Sequence, residues 1–120
     1  METVVETKEL YNFKQLDEIA VGNPEFIKSL AMLYLKTVPN DSTEMLLAAR
    51  SGEWLKMSKL AHKLKSTIDS MNIVSLKSDI RTLEMDGKNK INTAALVPLA
   101  EKANIILHTV AEQLKEEFGI

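Results

Sequence analysis

The chain is expected to be all-α: an antiparallel up-down-up-down four-helix bundle with a short extra helix at the N-terminus. Three observations predict this. Apolar residues recur at helical spacing along nearly the whole chain, and strand-like alternation is absent. The helix breakers are few, with 4 Gly and 3 Pro in 120 residues. The segments between apolar stripes are short, which favours antiparallel neighbours. At this length one domain, residues 1–120, can bury a core without staples.

The elements follow in order. "YNFKQLDEIAVGN" is a short amphipathic helix with Phe13, Leu16, Ile19 and Ala20 on one face and Gly22 at its end. In "NPEF", Asn23 can cap the next helix, Pro24 suits its first position and Glu25 complements the dipole. Its stripe runs through Ile27, Leu30, Leu33, Tyr34 and Val38, then Met45, Ala48 and Ala49, with a kink or local break expected at Pro39. After a turn at Gly52 the next helix carries Trp54, Met57, Leu60, Ala61, Leu64, Ile68 and Met71. Asn72 is expected to end it in the left-handed conformation. The following helix has Leu76, Ile80, Leu83 and Met85 facing inward and is expected to stop at Gly87. "KNKIN" is a polar loop. The last helix spans about Thr93 to Phe118, with Leu96, Leu99, Ala103, Ile106, Val110 and Leu114 inward and a kink at Pro98.

Composition narrows the function. Fifteen Lys and Arg against 17 Asp and Glu leave no basic excess for nucleic acid. With no cysteine there is no disulfide framework or thiolate metal site. No apolar run approaches the ~20 residues of a membrane span and no signal peptide opens the chain, so cytoplasmic residence is the default expectation. No Gly-rich phosphate loop is present, which argues against a kinase.

His62 is the informative residue. On a helical wheel Met57, Ala61, Leu64 and Ile68 define the core direction, and His62 lies roughly 130° from it. Ser58, Lys59, Lys65, Ser66 and Asp69 neighbour it on the outer face, and Lys63 lies further round. Ammonium groups disfavour an imidazolium, so a neutral, nucleophilic ring is expected. The same ammonium groups would attract and hold a phosphoryl group. Ser66 and Thr67 are small and leave the ring open. No general base or metal partner stands near it in the sequence. A lone histidine on a polar helix face is ordinarily just solvated, and local pattern alone leaves both readings open. His108, off the core stripe and beside Ala111 and Glu112, reads as ordinary surface.

"AHKLKST", on a helix of an all-helical domain of this size, resembles the histidine-containing phosphotransfer (HPt) family. That family's signature is a histidine, any residue, Leu, Lys, Gly and a small residue. His62, Leu64, Lys65 and Thr67 match it. The resemblance extends over about residues 13–118, through "LDEIAVGNPEFIKSLAMLYL" and "SGEWLKMSKLAHKLK". Two positions depart from the family. Its usual Gly four residues after the histidine is Ser66, which narrows a partner's backbone approach. Its second Gly, at the helix end, is Asn72.

The resemblance implies a phosphorelay intermediate of two-component signalling. His62 would accept a phosphoryl group from the phosphoaspartate of a receiver domain and pass it to another receiver. Lys65 would stabilise the phosphoryl group, and Lys59, Lys63, Ser66, Thr67 and Asp69 would dock the partner. The implied partners are response-regulator receiver domains and a hybrid sensor histidine kinase. The domain itself would hold no metal or cofactor and have no autonomous kinase activity, with Mg²⁺ and a catalytic lysine supplied by the receiver. A monomer is expected. The alternatives are a non-catalytic helical module that binds receivers or partner helices, a metal bundle, and a dimerisation hairpin of a histidine kinase. A metal bundle needs inward Glu-x-x-His pairs, which this chain lacks, and five helical segments exceed a two-helix hairpin.

Overall fold

The structure, a computed structural model, describes residues 10–16 and 23–120. It is all-helical, and no strand occurs among the described residues. Four long helices carry the fold: α1 (Pro24–Arg50), α2 (Trp54–Ser70), α3 (Val74–Asn89) and α4 (Thr93–Phe118). Each packs on its chain neighbours, and α1 also packs on α4, so the four close into a ring around one core.

Asn23 caps α1 as expected, its Oδ1 accepting from the backbone N–H groups of Glu25 and Phe26 at 3.1 and 3.4 Å. Pro39 does not break the helix, which runs unbroken through it. A proline removes one N–H from the ladder, and helical structure continues on both sides of it. The Thr43 hydroxyl donates to the Pro39 carbonyl at 3.0 Å. Pro98 is likewise absorbed within α4.

Three helix ends use one device. A residue at positive φ lets its own N–H and that of the next residue reach back to the last carbonyls of the helix. Gly52 does this after α1, Asn72 (φ 53°) after α2 and Lys90 (φ 55°) after α3. Asn72 N donates to Asp69 O at 3.1 Å and Ile73 N to Ile68 O at 2.9 Å. The left-handed turn expected at Asn72 is therefore present. Gly87 is not a stop: α3 continues to Asn89, and Gly87 lies buried against α2.

The core contains Tyr34, Met45, Met57, Ala61, Leu64, Ile68, Ile73, Leu76, Ile80, Leu83, Leu96, Leu107, Val110 and Leu114. Leu33 and Met85, expected inward, are exposed. In α4 the buried stripe runs through Ala100, Leu107 and Ala111, while Leu99 and Ile106 are only partly buried.

Residues 10–16 lie across one end of the ring, with a helical turn at 14–16. Asn12 N donates to Met71 O at 2.9 Å, and Leu10 N donates to Gln113 Oε1 at 2.9 Å. The Tyr11 hydroxyl bonds the Glu117 carboxylate, and Phe13 meets the ring of Phe118 edge-on. Tyr11 and Leu16 are buried there. The expected face at Ile19, Ala20 and Gly22 lies outside the described residues. No helix among the described residues is long and apolar enough to cross a membrane.

Candidate functional site

His62 stands in the middle of α2, on the opposite side from the buried stripe of Met57, Ala61, Leu64 and Ile68. Its side chain is 68% exposed. The wheel placed it outward, and it is outward.

The ring is not alone. Glu84 of α3 reaches over to α2, and its two oxygens take different partners. Oε2 meets His62 Nδ1 at 2.5 Å, and Oε1 accepts from Lys65 Nζ at 2.8 Å. Sequence reading placed no such partner near His62, and this is a correction. The Lys65 hydrogen bond, followed by the bond to His62, holds the Glu84 carboxyl below the usual carboxylate range. Glu84 is therefore a carboxylate at neutral pH, and a carboxylate can only accept. Nδ1 must then carry the proton, and in the neutral ring Nε2 carries the lone pair. Nε2 makes no hydrogen bond among the described residues.

The lysines also need correction. They were expected as an unbalanced cluster of ammonium groups around the ring. Lys63 instead pairs with Asp41 of α1 at 3.1 Å, and Lys65 pairs with Glu84. Lys59 is exposed and makes no ion pair among the described residues. The ring thus has a carboxylate on its Nδ1 side, and two of the three lysines around it are paired with acids.

The remaining expected site residues fall on two flanks of His62. Lys59 and Lys63 line an open groove between α1 and α2, together with Asp41, Leu55 and Leu60. Thr67 faces the same side, half-buried near Leu33 and Thr37. Asp69 turns the other way, where Arg81 of α3 grips it through both oxygens at 3.1 and 2.7 Å. Ser66 is exposed one turn beyond the ring. Ser58, expected on the outer face, is buried in the seam with α3, where its hydroxyl donates to Glu84 O at 2.6 Å.

Glu84, Arg81 and Asp41 were not singled out in the sequence, although a signal existed for Glu84. The tight turn at Asn72 and Ile73 folds α3 back along α2. Residues equally far on either side of Ile73 then meet, and His62 and Glu84 are each eleven residues from it.

His108 is also placed. Its Nε2 lies 3.1 Å from Thr43 Oγ1, whose own hydrogen goes to Pro39 O, so Nε2–H is the donor. No group of three or more His, Cys, Asp or Glu suited to a metal ion occurs among the described residues.

The two depressed carboxyls have a consequence for folding. Arg81's hydrogen bond lowers the Asp69 pKa, as Lys65 and His62 lower that of Glu84. Each group binds protons less readily folded than unfolded. Its contribution to stability is present above the unfolded pKa, about 4, and is lost as pH falls through the lower folded value. Urea midpoints measured from pH 6 down to pH 2 should therefore fall below about pH 4. The decline should be shallower in Asp69→Asn and Glu84→Gln. An unchanged acid limb in both variants would show that neither pair is linked to folding.

No protein-family model matches the chain, and neither a curated protein nor a solved structure matches it.

Proposed function

We propose that this chain is a cytoplasmic, monomeric phosphocarrier of the HPt kind. In this reading it is an antiparallel up-down-up-down bundle with a short N-terminal helix across one end, and His62 relays a phosphoryl group between receiver domains. The topology is supported by pairs that run in opposite senses. Along α1, Tyr34, Ser42 and Arg50 meet Leu107, Asn104 and Glu101 of α4 in turn. The observation that carries the function is the state of one ring. His62 is exposed, its Nδ1 is held by a carboxylate, and its Nε2 makes no hydrogen bond among the described residues.

The chemistry needs little more from this chain. The Nε2 lone pair attacks the phosphorus of a receiver's aspartyl phosphate in line. The N–P bond forms, the P–O bond to the aspartate breaks, and the aspartate leaves as a carboxylate. The phosphorylated ring keeps its Nδ1 proton and becomes positive, a charge that Glu84 offsets at hydrogen-bond distance. Transfer to a second receiver is the reverse step. The receiver supplies the Mg²⁺ and lysine that offset phosphoryl charge. This chain supplies position and an open approach past Ser66. The groove holding Lys59 and Lys63 on one flank, with Thr67 beside it, and Asp69 on the other are the surfaces offered to receivers and to a hybrid sensor kinase.

The test is transfer from a radiolabelled receiver. The chain should take up label, and the adduct should be acid-labile and alkali-stable, as a phosphoramidate is. No uptake from any phosphorylated receiver of the same genome would overturn the proposal.

Lys65 has a graded role. It forms no bond to phosphorus, but it sits beside the ring and holds the second oxygen of Glu84. Lys65→Ala should slow acceptance roughly ten- to a hundred-fold, the equivalent of one charge-assisted contact of about 1.5–3 kcal/mol. Rapid-quench kinetics at saturating receiver would read this. A rate equal to wild type would remove Lys65 from the site.

A further inference from the structure

We propose that Ser58 is a positioning residue for His62. Together with Gly87, it sets the register of α3 against α2 so that the Glu84 carboxylate holds the ring in its Nδ1–H form. This rests on the phosphoacceptor reading of His62.

The need comes from geometry. Glu84 is on α3, and both groups it serves are on α2. It must reach Nδ1 with one oxygen at 2.5 Å and Lys65 Nζ with the other at 2.8 Å. A helix advances 1.5 Å per residue. A slide of α3 by even a fraction of one residue would break one of the two contacts, since a hydrogen bond does not survive an extra ångström. Something must hold the two helices in register at Glu84 itself.

Ser58 does this at the backbone of that residue. It lies one turn before His62 on α2, is only 4% exposed, and donates to the Glu84 carbonyl at 2.6 Å. A helix carbonyl has a second lone pair to give, so the bond adds to the ladder of α3 without breaking it. The other polar tie between the helices near the site, Asp69 to Arg81, is exposed on both sides. Exposed ion pairs hold geometry weakly because water competes for both groups. Water has little access to Ser58.

Gly87 supplies the closeness. It sits one turn after Glu84 and faces the first turns of α2. A Cβ there would stand 2.6 Å from Met57 Cε, 3.2 Å from the Trp54 carbonyl oxygen and 3.3 Å from Ser58 Cβ. The thioether end of Met57 can swing aside, but the Trp54 carbonyl is backbone and cannot. Any side chain at 87 therefore pushes α3 off α2 beside the Ser58 bond. The chain thus carries a hydroxyl and a glycine side by side in the same seam, both about one turn from the His62–Glu84 contact. Neither touches the ring or the incoming phosphoryl group, so both act through Glu84.

The experiment reads the ring directly. Nitrogen-15 spectra of His62 in the intact chain, with no phosphoryl donor present, give the ratio of Nδ1–H to Nε2–H forms. Wild type should be mainly Nδ1–H, and Glu84→Gln sets the ratio without a carboxylate. Ser58→Ala should lower the ratio about three- to ten-fold toward that limit, the scale of one hydrogen bond, and Gly87→Ala should move it in the same direction. Leu114→Ala, a core change in α4, should lose stability and leave the ratio alone. Phosphoryl acceptance by Ser58→Ala should slow at saturating receiver with the half-saturating concentration unchanged. A ratio that stays at the wild-type value in Ser58→Ala would overturn the proposal, whatever happens to stability, as would a wild-type ring mainly in the Nε2–H form. A ring that responds as expected but never accepts phosphoryl from any receiver would count against the phosphocarrier function and not against the positioning role.

Discussion

Replacing His62 with Gln is expected to abolish phosphoryl acceptance while leaving the fold intact. Both halves follow from the same placement. The ring is 68% exposed on a helix whose opposite face is buried, so losing it removes little apolar contact. Surface changes of this kind usually stay within about 0.5 kcal/mol. Gln can still offer an N–H to Glu84, so the carboxylate keeps a donor. What Gln lacks is a nucleophile: its amide nitrogen lone pair is delocalised into the carbonyl and does not attack phosphorus. The measurement is label uptake from a phosphorylated receiver, with circular dichroism and the urea midpoint as the check on folding. His108 remains in this variant and is the internal control: loss of label with His108 still present assigns acceptance to His62. Label retained at wild-type level would move the acceptor role to another residue and end the present reading of the site.

How far the sequence foretold this site depends on which distances are local. The outward pointing of His62 was legible, because helical spacing fixes the angle between it and Leu64 from sequence alone. So was the left-handed turn at Asn72, since few residue types tolerate that conformation. Lys65 beside His62 is likewise a one-turn relation. Glu84 was missed because it belongs to the next helix, and the meeting depends on the register across the turn at Ile73. The pairing of Lys63 with Asp41 crosses between helices in the same way. Gly87 was misread for a different reason. Near a helix end glycine most often supplies a positive φ, but here its lack of a side chain serves close helix contact, and the end is made by Lys90 at φ 55°. Leu33 and Met85 were assigned inward on apolarity, yet isolated apolar residues on a surface are ordinary. Local spacing gave the helices and the outward histidine, whereas the carboxylate that meets its Nδ1 required tertiary register.

Leu64→Ala should cost about 2–5 kcal/mol of folding free energy, the largest stability loss expected of any residue in the "AHKLKST" segment. Leu64 is only two residues from His62 and points the opposite way, 2% exposed within the shared core. Truncation removes three buried carbons and leaves a cavity in the helix ring, and the two penalties add because close-packed neighbours relax only in part. Domains of this size have a total stability of about 5–15 kcal/mol, so a parent low in that range loses about two-fifths or more of its margin. The thermal midpoint should fall by roughly 8–20 °C. The urea midpoint should fall with little change in slope, since the surface exposed on unfolding is nearly the same. Below its own midpoint the variant should still accept phosphoryl per folded molecule within a few-fold of wild type. His62, Glu84 and Lys65 all lie outside the cavity, and the Ser58 bond that ties their helices is untouched. Core and site thus separate on adjacent faces of one helix: Leu64→Ala loses stability and keeps chemistry, and His62→Gln does the reverse. A loss under about 1 kcal/mol in Leu64→Ala, below the cavity range for a buried leucine, would mean that Leu64 is not packed in the core, and with it the outward direction assigned to His62 would fall.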